Sequence, residues 1–591
     1  MRHIYTKAAL LFILSFILVT PIKTRAQGWV WAKTSTCNNT RTLEDLGLIA
    51  IDKVSSLPGI YIVCNNQGDT ICLSTYTIPS LRDSLQTFIA KYDTAGNVLW
   101  AIGSKNGQCA PMNLTTDASG NLLFYGCLYT DSVSFGSHTI INPNYIFGGG
   151  LQKNQCYIVI KFDIHGNVIW STCGGNVYGF GTTGVVMGGI TVDNADNVYV
   201  SGMFGDSSIH IGSHVFVNTH VDSGDIFIIK YDNLGNFIWG KTFGNVGNDY
   251  GGRILIGKNN RLYMTGWFTS SSLTLGGTTL MHTGMMSSGA WRPDAFVAEF
   301  DTSGNPIWAK CSVGNSYSQG FILDDSDNIY MSGGISDTSF SFGSYSFSNP
   351  NLFWGGYILK FDTLGNTIWG KSFYPLTNHT SGSYGIPIYE IAVDPCNNVW
   401  FTGTIGHDSA GVNGSVFIHT PPTGPDPLLF FGYSSSGSLL QCLTMASGGD
   451  DNAGMVSDCN GNIYIAGDLT TTLVFGTNTI PHVTGSSETM FLAKYNPNLG
   501  CSAICGSSIP ESQINPMRNF QVVIYPNPTP TELTITSPDK ITRLTITNLL
   551  GQPVFSHKYN TETVQVNVAG LPNGIYLLKI NGCEVRRFVK E

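Results

Sequence analysis

Charge is scarce in this chain. Lys, Arg, Asp and Glu together make up 12% of its 591 residues, about half the usual share. The formal net charge is −9. Domains that bind nucleic acid are usually basic. The composition therefore argues against a nucleic-acid partner.

Apolar runs long enough to cross a bilayer are also lacking. The N-terminal run Ala8–Val19 has 12 residues, well below the ~20 that span a membrane as a helix. Lys7 precedes it, and Thr24-Arg25-Ala26 forms an A-x-A-like cleavage site before Gln27. This pattern is typical of a secretory signal peptide, and a membrane anchor is the alternative. We expect residues 1–26 to be removed and the mature chain to be exported through the periplasm.

Cysteines are more frequent, and the chain has 14 of them. In an exported protein this number makes disulfides plausible. Cys64 and Cys72 are close enough in sequence to pair, as are Cys501 and Cys505. The connectivity cannot be deduced from spacing alone, and a free buried thiol is the alternative for any one of them.

Familiar catalytic motifs are missing, including H-E-x-x-H, G-x-S-x-G and a nucleophilic cysteine in a recognisable context. Gly235–Thr242 and Gly365–Ser372 match the phosphate-loop pattern, and Gly179–Gly184 matches G-x-G-x-x-G. Both patterns require a following helix whose N-terminus holds phosphate. Here we predict a turn and a strand instead. The sequence therefore predicts no catalytic and no nucleotide-binding residues.

Metal ligands are suggested at two places. His210, His214 and His220 cluster, but Gly212 predicts a hairpin between the first two, and no recognisable zinc spacing lies nearby. The turn Asp324–Asn328 is rich in Asp, whereas the equivalent turn that begins at Gly257 has no carboxylate. Turn formation accounts for the acidic residues without a cation. We predict no cofactor, with calcium at one or two turns as the alternative.

One phrase recurs six times and organises most of the chain. The copies are Phe88–Trp100, Tyr157–Trp170, Phe227–Trp239, Phe296–Trp308, Tyr357–Trp369 and the degenerate Leu428–Gln441. A unit that returns this regularly is a structural module. Each copy reads as two strands joined by a turn, and two further strands precede it. Four strands per repeat are typical of a blade of a β-propeller.

The count of strands predicts how the ring closes. Trp29–Lys33 reads as a fourth strand without the first three, and Met455–Tyr495 supplies three strands without a fourth. We therefore predict an all-β, seven-bladed propeller over residues 27–500, whose last blade joins both ends. The Trp of each fourth strand is expected to lie between neighbouring blades. The repeat resembles those of large secreted and surface bacterial propeller proteins.

The composition changes after Tyr495. Residues 501–518 are rich in Ser, Pro and Asn and predict a linker, and residues 519–591 alternate like a small immunoglobulin-like β-sandwich. This last stretch resembles the type A C-terminal sorting domain of the type IX secretion system, with an ordinary adhesion domain as the alternative. The residues that carry the resemblance are Tyr525, Pro526, Asn527, Pro528, the turn Asn548–Gln552 with Gly551, the segment Leu571–Tyr576 with Gly574 and Tyr576, and Lys590.

That resemblance implies passage across the outer membrane by the type IX machinery, removal of the domain by a sortase-like peptidase, and then either release or attachment to surface lipopolysaccharide. The expected location is the cell surface or the medium.

Long, variable loops are where binding residues tend to lie on a rigid scaffold. The connections between blades contain Tyr178, Asp249, Tyr250, Tyr317, Tyr384, Asp450 and Asp451. Aromatic and acidic residues of this kind could form a rim that binds sugars, and turn formation with rim packing is the alternative. The sequence thus favours a binding or structural, adhesion-like protein. A glycan-acting extracellular enzyme on the same scaffold is the second hypothesis.

Overall fold

The computed structural model describes the chain in segments separated by gaps. These are residues 28–35, 48–52, 58–67, 70–79, 85–143, 155–176, 188–205, 208–218, 220, 223–283, 293–349, 354–375, 388–404, 409–412, 415–419, 428–445, 453–469, 472–475, 478–482, 489–497, 523–548, 552–580 and 584–591. All the regular structure within these ranges is β-strand, which confirms the all-β prediction. None of the described residues belongs to a helix that could cross a membrane. The predicted signal peptide lies outside these ranges.

The chain divides into two compact units, Met1–Ile509 and Pro510–Glu591. The N-terminal unit repeats one pattern, in which four antiparallel strands lie side by side, in sequence order in every sheet but the last. We number these groups as sheets 1 to 7 and their strands as first to fourth. The strands are, for sheet 1, β2 (Leu48–Ile51), β3 (Ile60–Gln67), β6 (Leu85–Tyr92) and β7 (Val98–Lys105); for sheet 2, β8 (Cys109–Thr116), β9 (Leu122–Leu128), β12 (Cys156–Phe162) and β13 (Val168–Asn176); for sheet 3, β14 (Gly189–Val192), β15 (Val198–Phe204), β18 (Asp225–Tyr231) and β19 (Phe237–Phe243); for sheet 4, β20 (Asp249–Ile256), β21 (Leu262–Phe268), β24 (Asp294–Phe300) and β25 (Pro306–Val313); for sheet 5, β26 (Ser316–Leu323), β27 (Ile329–Ile335), β30 (Gly355–Phe361) and β31 (Thr367–Pro375); for sheet 6, β32 (Ile388–Val393), β33 (Val399–Thr404), β36 (Leu428–Tyr433) and β37 (Leu439–Met445); and for sheet 7, β38 (Gly454–Ser457), β39 (Ile463–Leu469), β42 (Thr489–Asn496) and β1 (Gly28–Thr34).

An additional hairpin lies between the second and third strands of every sheet. The hairpins are β4–β5 (Ile71–Leu73, Tyr76–Ile78), β10–β11 (Ser132–Phe135, His138–Ile141), β16–β17 (Ser208–Ile211, His214–Val217), β22–β23 (Ser272–Leu275, Thr278–Met281), β28–β29 (Ser339–Phe342, Tyr345–Ser348), β34–β35 (Ser409–Val412, Ser415–His419) and β40–β41 (Leu473–Phe475, Asn478–Ile480). Three of them extend the preceding sheet, because β10 pairs with β7, β28 with β25 and β34 with β31. These three hairpins therefore join neighbouring sheets.

The recurring phrase forms the third strand, the turn and the fourth strand of a sheet. In sheet 3, Asp232 accepts hydrogen bonds from the backbone N–H of Leu234 and Asn236, and Gly235 takes a left-handed φ of 82°. Lys230 then pairs with Trp239, and Tyr231 pairs with Phe237. The residue between Phe237 and Trp239 is left as a bulge. The degenerate copy in sheet 6 folds the same way, with the backbone of Ser434 and Ser438 closing its turn.

In six of the seven sheets the fourth strand carries a Trp that lies against the turn of the next sheet, while β37 of sheet 6 has Gln441 in this position. The pairs of Trp and turn glycine are Trp31 with Gly96, Trp100 with Gly166, Trp170 with Gly235, Trp239 with Gly304, Trp308 with Gly365, and Trp369 with Gly437. The indole N–H of Trp100 donates to the carbonyl of Ile164 in that turn at 2.8 Å. The predicted place of these side chains, between neighbouring sheets, is confirmed.

The first strands contact one another in sequence order from β2 to β38, and β38 contacts β2. The N-terminal strand β1 pairs antiparallel with β42, with Lys33 opposite Leu492. Sheet 7 is therefore built from both ends of this unit, as the strand count predicted.

Buried ion pairs lie behind the first-to-second turns. Lys161 on the third strand of sheet 2 donates to Asp117 at 2.7 Å. Burial alone would raise the pKa of Asp117, but the hydrogen bonds from Lys161 and Asn121 outweigh it and lower that pKa. Sheets 1, 3 and 5 repeat the pair. In sheet 4 the turn begins with Gly257, and a glutamate, Glu299, takes the place of the lysine.

The C-terminal unit consists of β43 (Val523–Tyr525), β44 (Glu532–Thr547), β45 (Pro553–Asn567), β46 (Gly574–Ile580) and β47 (Glu584–Lys590). Its sheet order is β43–β44–β46–β47, and β45 pairs with β44. Alternate residues such as Leu533, Ile535, Val564 and Val566 are buried in one core. The predicted alternation is therefore confirmed, while the immunoglobulin-like arrangement stays a prediction.

The suggested pairing of Cys64 with Cys72 is wrong. Cys64 has a free, buried thiol, whereas Cys72 is disulfide-bonded, as are Cys396 and Cys459. Cys64 lies inside a buried strand next to apolar neighbours, where a thiol packs like a small hydrophobic side chain. Cys501 and Cys505 lie outside the described residues.

Candidate functional site

An exposed aromatic pair marks one end of sheet 5. Trp354 immediately precedes the third strand, and its side chain is 49% exposed. Its ring lies 5.4 Å from the ring of Tyr317, at an angle of 59°. Tyr317 is the second residue of the first strand and pairs with Gly334 on the second strand. The two aromatic residues thus come from the same end of the sheet.

Gly334 is required by this arrangement. A Cβ added at Gly334 would lie 2.3 Å from the Tyr317 ring, a separation that real Cβ atoms do not tolerate. The corresponding residue of sheet 4 is Trp267, which pairs with Tyr250 in the same register. There the two rings stack at 5.1 Å with an angle of 20°. Neighbouring sheets therefore each carry an aromatic pair built on equivalent first-strand tyrosines, but the Trp lies on the second strand in sheet 4 and just before the third strand in sheet 5.

Asp249 lies beside the packed pair and is fully buried. It accepts hydrogen bonds from the hydroxyl of Ser270 and the backbone N–H of Asn245. Burial raises the pKa of Asp249 to about 7, those hydrogen bonds only partly offset the rise, and Asp225 adds to it. Asp249 and Asp225 begin strands of adjacent sheets, so two carboxyl groups approach one another at this seam.

A charged pair lies on the first strands. Arg253 of β20 and Glu390 of β32 form an ion pair, with side chains that are 20% and 8% exposed. The two strands belong to sheets 4 and 6, and β26 of sheet 5 lies between them. Both residues fall in irregular parts of their ladders, as does Gly320 of β26. Gly320, which has no side chain, occupies the equivalent position of the strand between them.

Burial sets the electrostatics of that pair. It lowers the pKa of the Arg253 guanidinium to about 10, so this group stays charged at neutral pH. A buried charge is costly unless it is paired, and Glu390 supplies the partner. The pair therefore links two sheets that are not adjacent.

The predicted rim is only partly visible. Tyr178, Tyr384, Asp450 and Asp451 lie outside the described residues. Asp249 and Tyr250 are buried, at 0% and 4% exposure, while Tyr317 is partly exposed. The rim stays a prediction, with Tyr317 as its accessible described member.

Sequence reasoning missed three residues. Arg253 and Glu390 could have been found as single charges within apolar first strands, in the segments GGRILI and IYEIAV. Trp354 has no counterpart in the repeat, because the other sheets have no Trp immediately before the third strand. This departure from the repeat is the one feature of the sequence that could have pointed to Trp354.

The histidine cluster suspected of binding a metal lies at a hairpin, and the acidic turn Asp324–Asn328 is held by its own hydrogen bonds. Gly212 turns β16 into β17 with a φ of 57°, as predicted, and the ring of His214 stacks on Phe237 at 4.2 Å. Within the described ranges, no group of three His, Cys, Asp or Glu residues could hold a metal ion. In the acidic turn, Asp324 accepts hydrogen bonds from Ser326, Asn328 and Lys360. Its oxygens are therefore already engaged.

The phosphate-loop matches are strands. The segment after Gly235 is β19, and the segment after Gly365 belongs to β31. A strand directs its backbone N–H groups sideways to its neighbours, so these groups cannot converge on a phosphate. The G-x-G-x-x-G match at 179–184 lies outside the described residues.

The sorting motifs converge in the C-terminal unit. The side-chain oxygen of Asn527 accepts a hydrogen bond from the backbone N–H of Val589 at 2.9 Å, and Thr529 forms a bridge with Lys590. Lys590 is 6% exposed, and its ammonium group lies 3.4 Å from the side-chain oxygen of Asn573. The segment Tyr525–Pro528, the segment Leu571–Tyr576 and the penultimate residue Lys590 thus meet.

The ladder register places the remaining motif near them. Thr547 pairs with Leu577, and Gly574 pairs with Lys590. The turn that follows Thr547 therefore lies at the same end of the sheet as the segment Gly574–Tyr576. The hydroxyl of Tyr576 donates to the carbonyl of Pro572 at 2.8 Å. Tyr525, Pro526, Asn527 and Pro528 are exposed, and Gly551 lies outside the described residues.

Sequence comparison finds a distant relative of part of the chain. An uncharacterized WD repeat-containing protein of Acanthamoeba polyphaga mimivirus is 24% identical over 360 residues, which cover 54% of this chain and 24% of the relative. The match thus spans about a quarter of that relative's length.

The similar solved structures are also distant. PorZ, a surface component of the type IX secretion system of Porphyromonas gingivalis, covers 95% of this chain and 100% of its own at 12% identity and a TM-score of 0.14. The polysaccharide lyase Uly1 covers 78% and 93% at 9% identity and a TM-score of 0.37. A protein of unknown function from Bacteroides caccae covers 60% and 89% at 9% identity and a TM-score of 0.29. Similarity at this level does not bear on function.

The family comparison identifies the C-terminal unit. Residues 523–590 match the secretion system C-terminal sorting domain. This range includes the converging motifs that surround Lys590. The chain therefore ends in a type IX sorting domain and is an exported protein that engages the type IX secretion machinery.

Proposed function

We propose that this chain is an exported, non-catalytic binding protein. Its N-terminal unit is a closed seven-bladed β-propeller that presents a binding surface outside the cell. Its C-terminal unit directs type IX secretion. In this proposal residues 1–26 are the signal peptide, 27–500 the propeller, 501–518 the linker and 519–591 the sorting domain.

Three contacts support the closed ring. The first strands contact in order and return from β38 to β2, and β1 completes sheet 7. Trp31 of sheet 7 meets Gly96 of sheet 1, as the other Trp residues meet their neighbours. A ring of this kind leaves no sheet with an unpartnered face, which is the usual benefit of propeller closure.

The single observation that favours binding over hydrolysis is the pairing of Glu390 with Arg253. A glycoside hydrolase needs two carboxyl groups roughly 5–10 Å apart. At the first strands, this glutamate is neutralised by a cation instead. The site therefore supports recognition better than acid–base chemistry.

A glycan-acting extracellular enzyme is the alternative, and Asp249 is the observation that favours it. Its pKa of about 7 suits a general acid or base, and Asp225 lies nearby. Its full burial opposes this role, because a catalytic carboxyl group must reach its substrate. The burial of Asp249 is therefore more consistent with a structural role in a binding protein than with catalysis.

A turnover assay separates the two functions. The secreted protein would be incubated with neutral and acidic polysaccharides, and new reducing ends and unsaturated products would be measured. We expect no turnover by the wild type. Turnover that is lost in Asp249→Asn but kept in Asp232→Asn, a matched turn variant, would establish the enzyme instead.

Export is tested by removing the sorting domain. A chain that ends at residue 522 should accumulate in the periplasm, while the full chain reaches the surface or the medium. Attachment to surface lipopolysaccharide and removal by a sortase-like peptidase belong to this proposal. Mass measurement of the surface form, with and without lipopolysaccharide synthesis, tests both.

A further inference from the structure

Trp354 is unusual among the aromatic residues of the N-terminal unit. Among the side chains that the structure describes there, it is the one Phe, Tyr or Trp that is exposed, at 49%. The rest pack between or within sheets. Isolated exposed aliphatic residues need no special role, but an indole that stands beside a second aromatic ring offers a large flat surface.

The partner of Trp354 is held rigidly. Tyr317 lies over Gly334, and its carbonyl accepts a hydrogen bond from the hydroxyl of Tyr357 at 3.2 Å. The backbone on both sides of Tyr317 is therefore fixed within the first strand. A preformed surface of this kind loses little conformational entropy when a ligand binds.

Polar residues lie at the same end of sheet 5 as Trp354. Ser316, Ile335 and Gly355 are aligned across the first three strands of sheet 5. The residues just beyond this row therefore share one end of the sheet with Trp354. Among them are Asn315 and Asp337, and the backbone N–H of Asn315 donates to the Asp337 carboxylate at 2.8 Å.

We propose that this end of sheet 5 binds a neutral oligosaccharide built of pyranose rings, an inference that rests on the proposed binding function. The C–H face of a sugar packs on Trp354 and Tyr317, because aromatic rings carry a negative face that suits such contacts. The carboxylate of Asp337, which is partly exposed, accepts hydrogen bonds from the hydroxyl groups at the ring edge. The net charge of −9 disfavours sulfated or uronic acid chains.

The test uses the full secreted chain on an array of neutral, sulfated and uronic acid oligosaccharides. Affinities for the bound glycans would then be measured by calorimetry. We expect binding to neutral oligosaccharides, a loss of about tenfold or more in Trp354→Ala, as for a central interface residue, and near-native binding in Trp354→Tyr, which keeps a flat ring.

The matched control is Leu364→Ala. Leu364 is 67% exposed on the turn between the third and fourth strands of the same sheet, at the opposite end, and this variant should bind like the wild type. Unchanged binding in both Trp354→Ala and Tyr317→Ala would overturn the site. Binding only to acidic glycans, or to none, would overturn the ligand class. Neither result contradicts the proposed function. That function would be contradicted by enzymatic turnover or by a failure of export.

Discussion

Trp31 lies against Gly96, and an added Cβ at Gly96 would be 3.1 Å from its ring. These residues belong to sheets 7 and 1, the last and first of the N-terminal unit. Trp170 and Gly235 have the same relationship between sheets 2 and 3. The two ends of the unit thus meet by the same contact that joins its interior sheets.

Equal contacts predict equal energies. Trp31→Ala should destabilise the N-terminal unit about as much as Trp170→Ala, by about 3 kcal/mol each, since both remove a large, partly buried ring. Urea denaturation followed by circular dichroism measures both values. A cost well below 1 kcal/mol for Trp31→Ala alone would mean that the ends are joined only loosely.

The turn glycine can be tested from the other side of the contact. Gly235 has a φ of 82°, and a Cβ there would lie 2.7 Å from the Trp170 ring. Gly235→Ala therefore combines a strained backbone with a steric clash, and we expect a loss of about 2 kcal/mol or more. Gly277→Ala is the matched control, because a Cβ there meets nothing within 4 Å. Equal melting temperatures for the two variants would contradict the packing described.

The repeat made most of the N-terminal unit predictable. A period of about 70 residues places each Trp, turn and strand by analogy with its sisters, so local sequence and tertiary contact repeat together. The candidate site was harder to predict because it depends on departures from the repeat. Gly334 stands where sheet 4 has Trp267, and a Cβ there would lie 2.3 Å from the Tyr317 ring. The effect of a missing side chain depends on which residue of a neighbouring strand packs there. The sequence of one strand does not specify that residue.

The pair formed by Arg253 and Glu390 should be costly to break. Glu390→Gln leaves a buried guanidinium without its counter-charge, and we expect a loss of about 3–5 kcal/mol. Replacing both residues by Met should recover most of that loss, because no charge is then buried. Chemical denaturation of the three proteins gives the comparison.

Asp325→Asn is the control for that series. Lys258 and Asp325 are 3.0 Å apart, but their side chains are 53% and 55% exposed. Exposed pairs contribute about 1 kcal/mol or less. If Glu390→Gln cost no more than Asp325→Asn, the pair of Arg253 and Glu390 would be solvated in solution and would not link sheets 4 and 6.

Asp249 predicts the dependence of stability on pH. Its pKa in the folded protein, about 7, lies above the ordinary value of 3.8. The folded state therefore holds the proton more tightly than the unfolded state between these values. The stabilisation is complete below about pH 3.8 and is lost as the pH rises through about 7. Thermal unfolding of the wild type should show this decline, and Asp249→Asn should remove it.

Asp232→Asn provides the contrast for this measurement. Hydrogen bonds from Asn236 lower the pKa of Asp232, so its own contribution is lost only as the pH falls below the ordinary value for aspartate. Between about pH 5 and 7 this variant should shift the melting temperature by the same amount at every pH and keep the wild-type slope. A slope that Asp249→Asn leaves intact would assign the decline to another buried acid, and Asp225 at the same seam would be the next residue to replace.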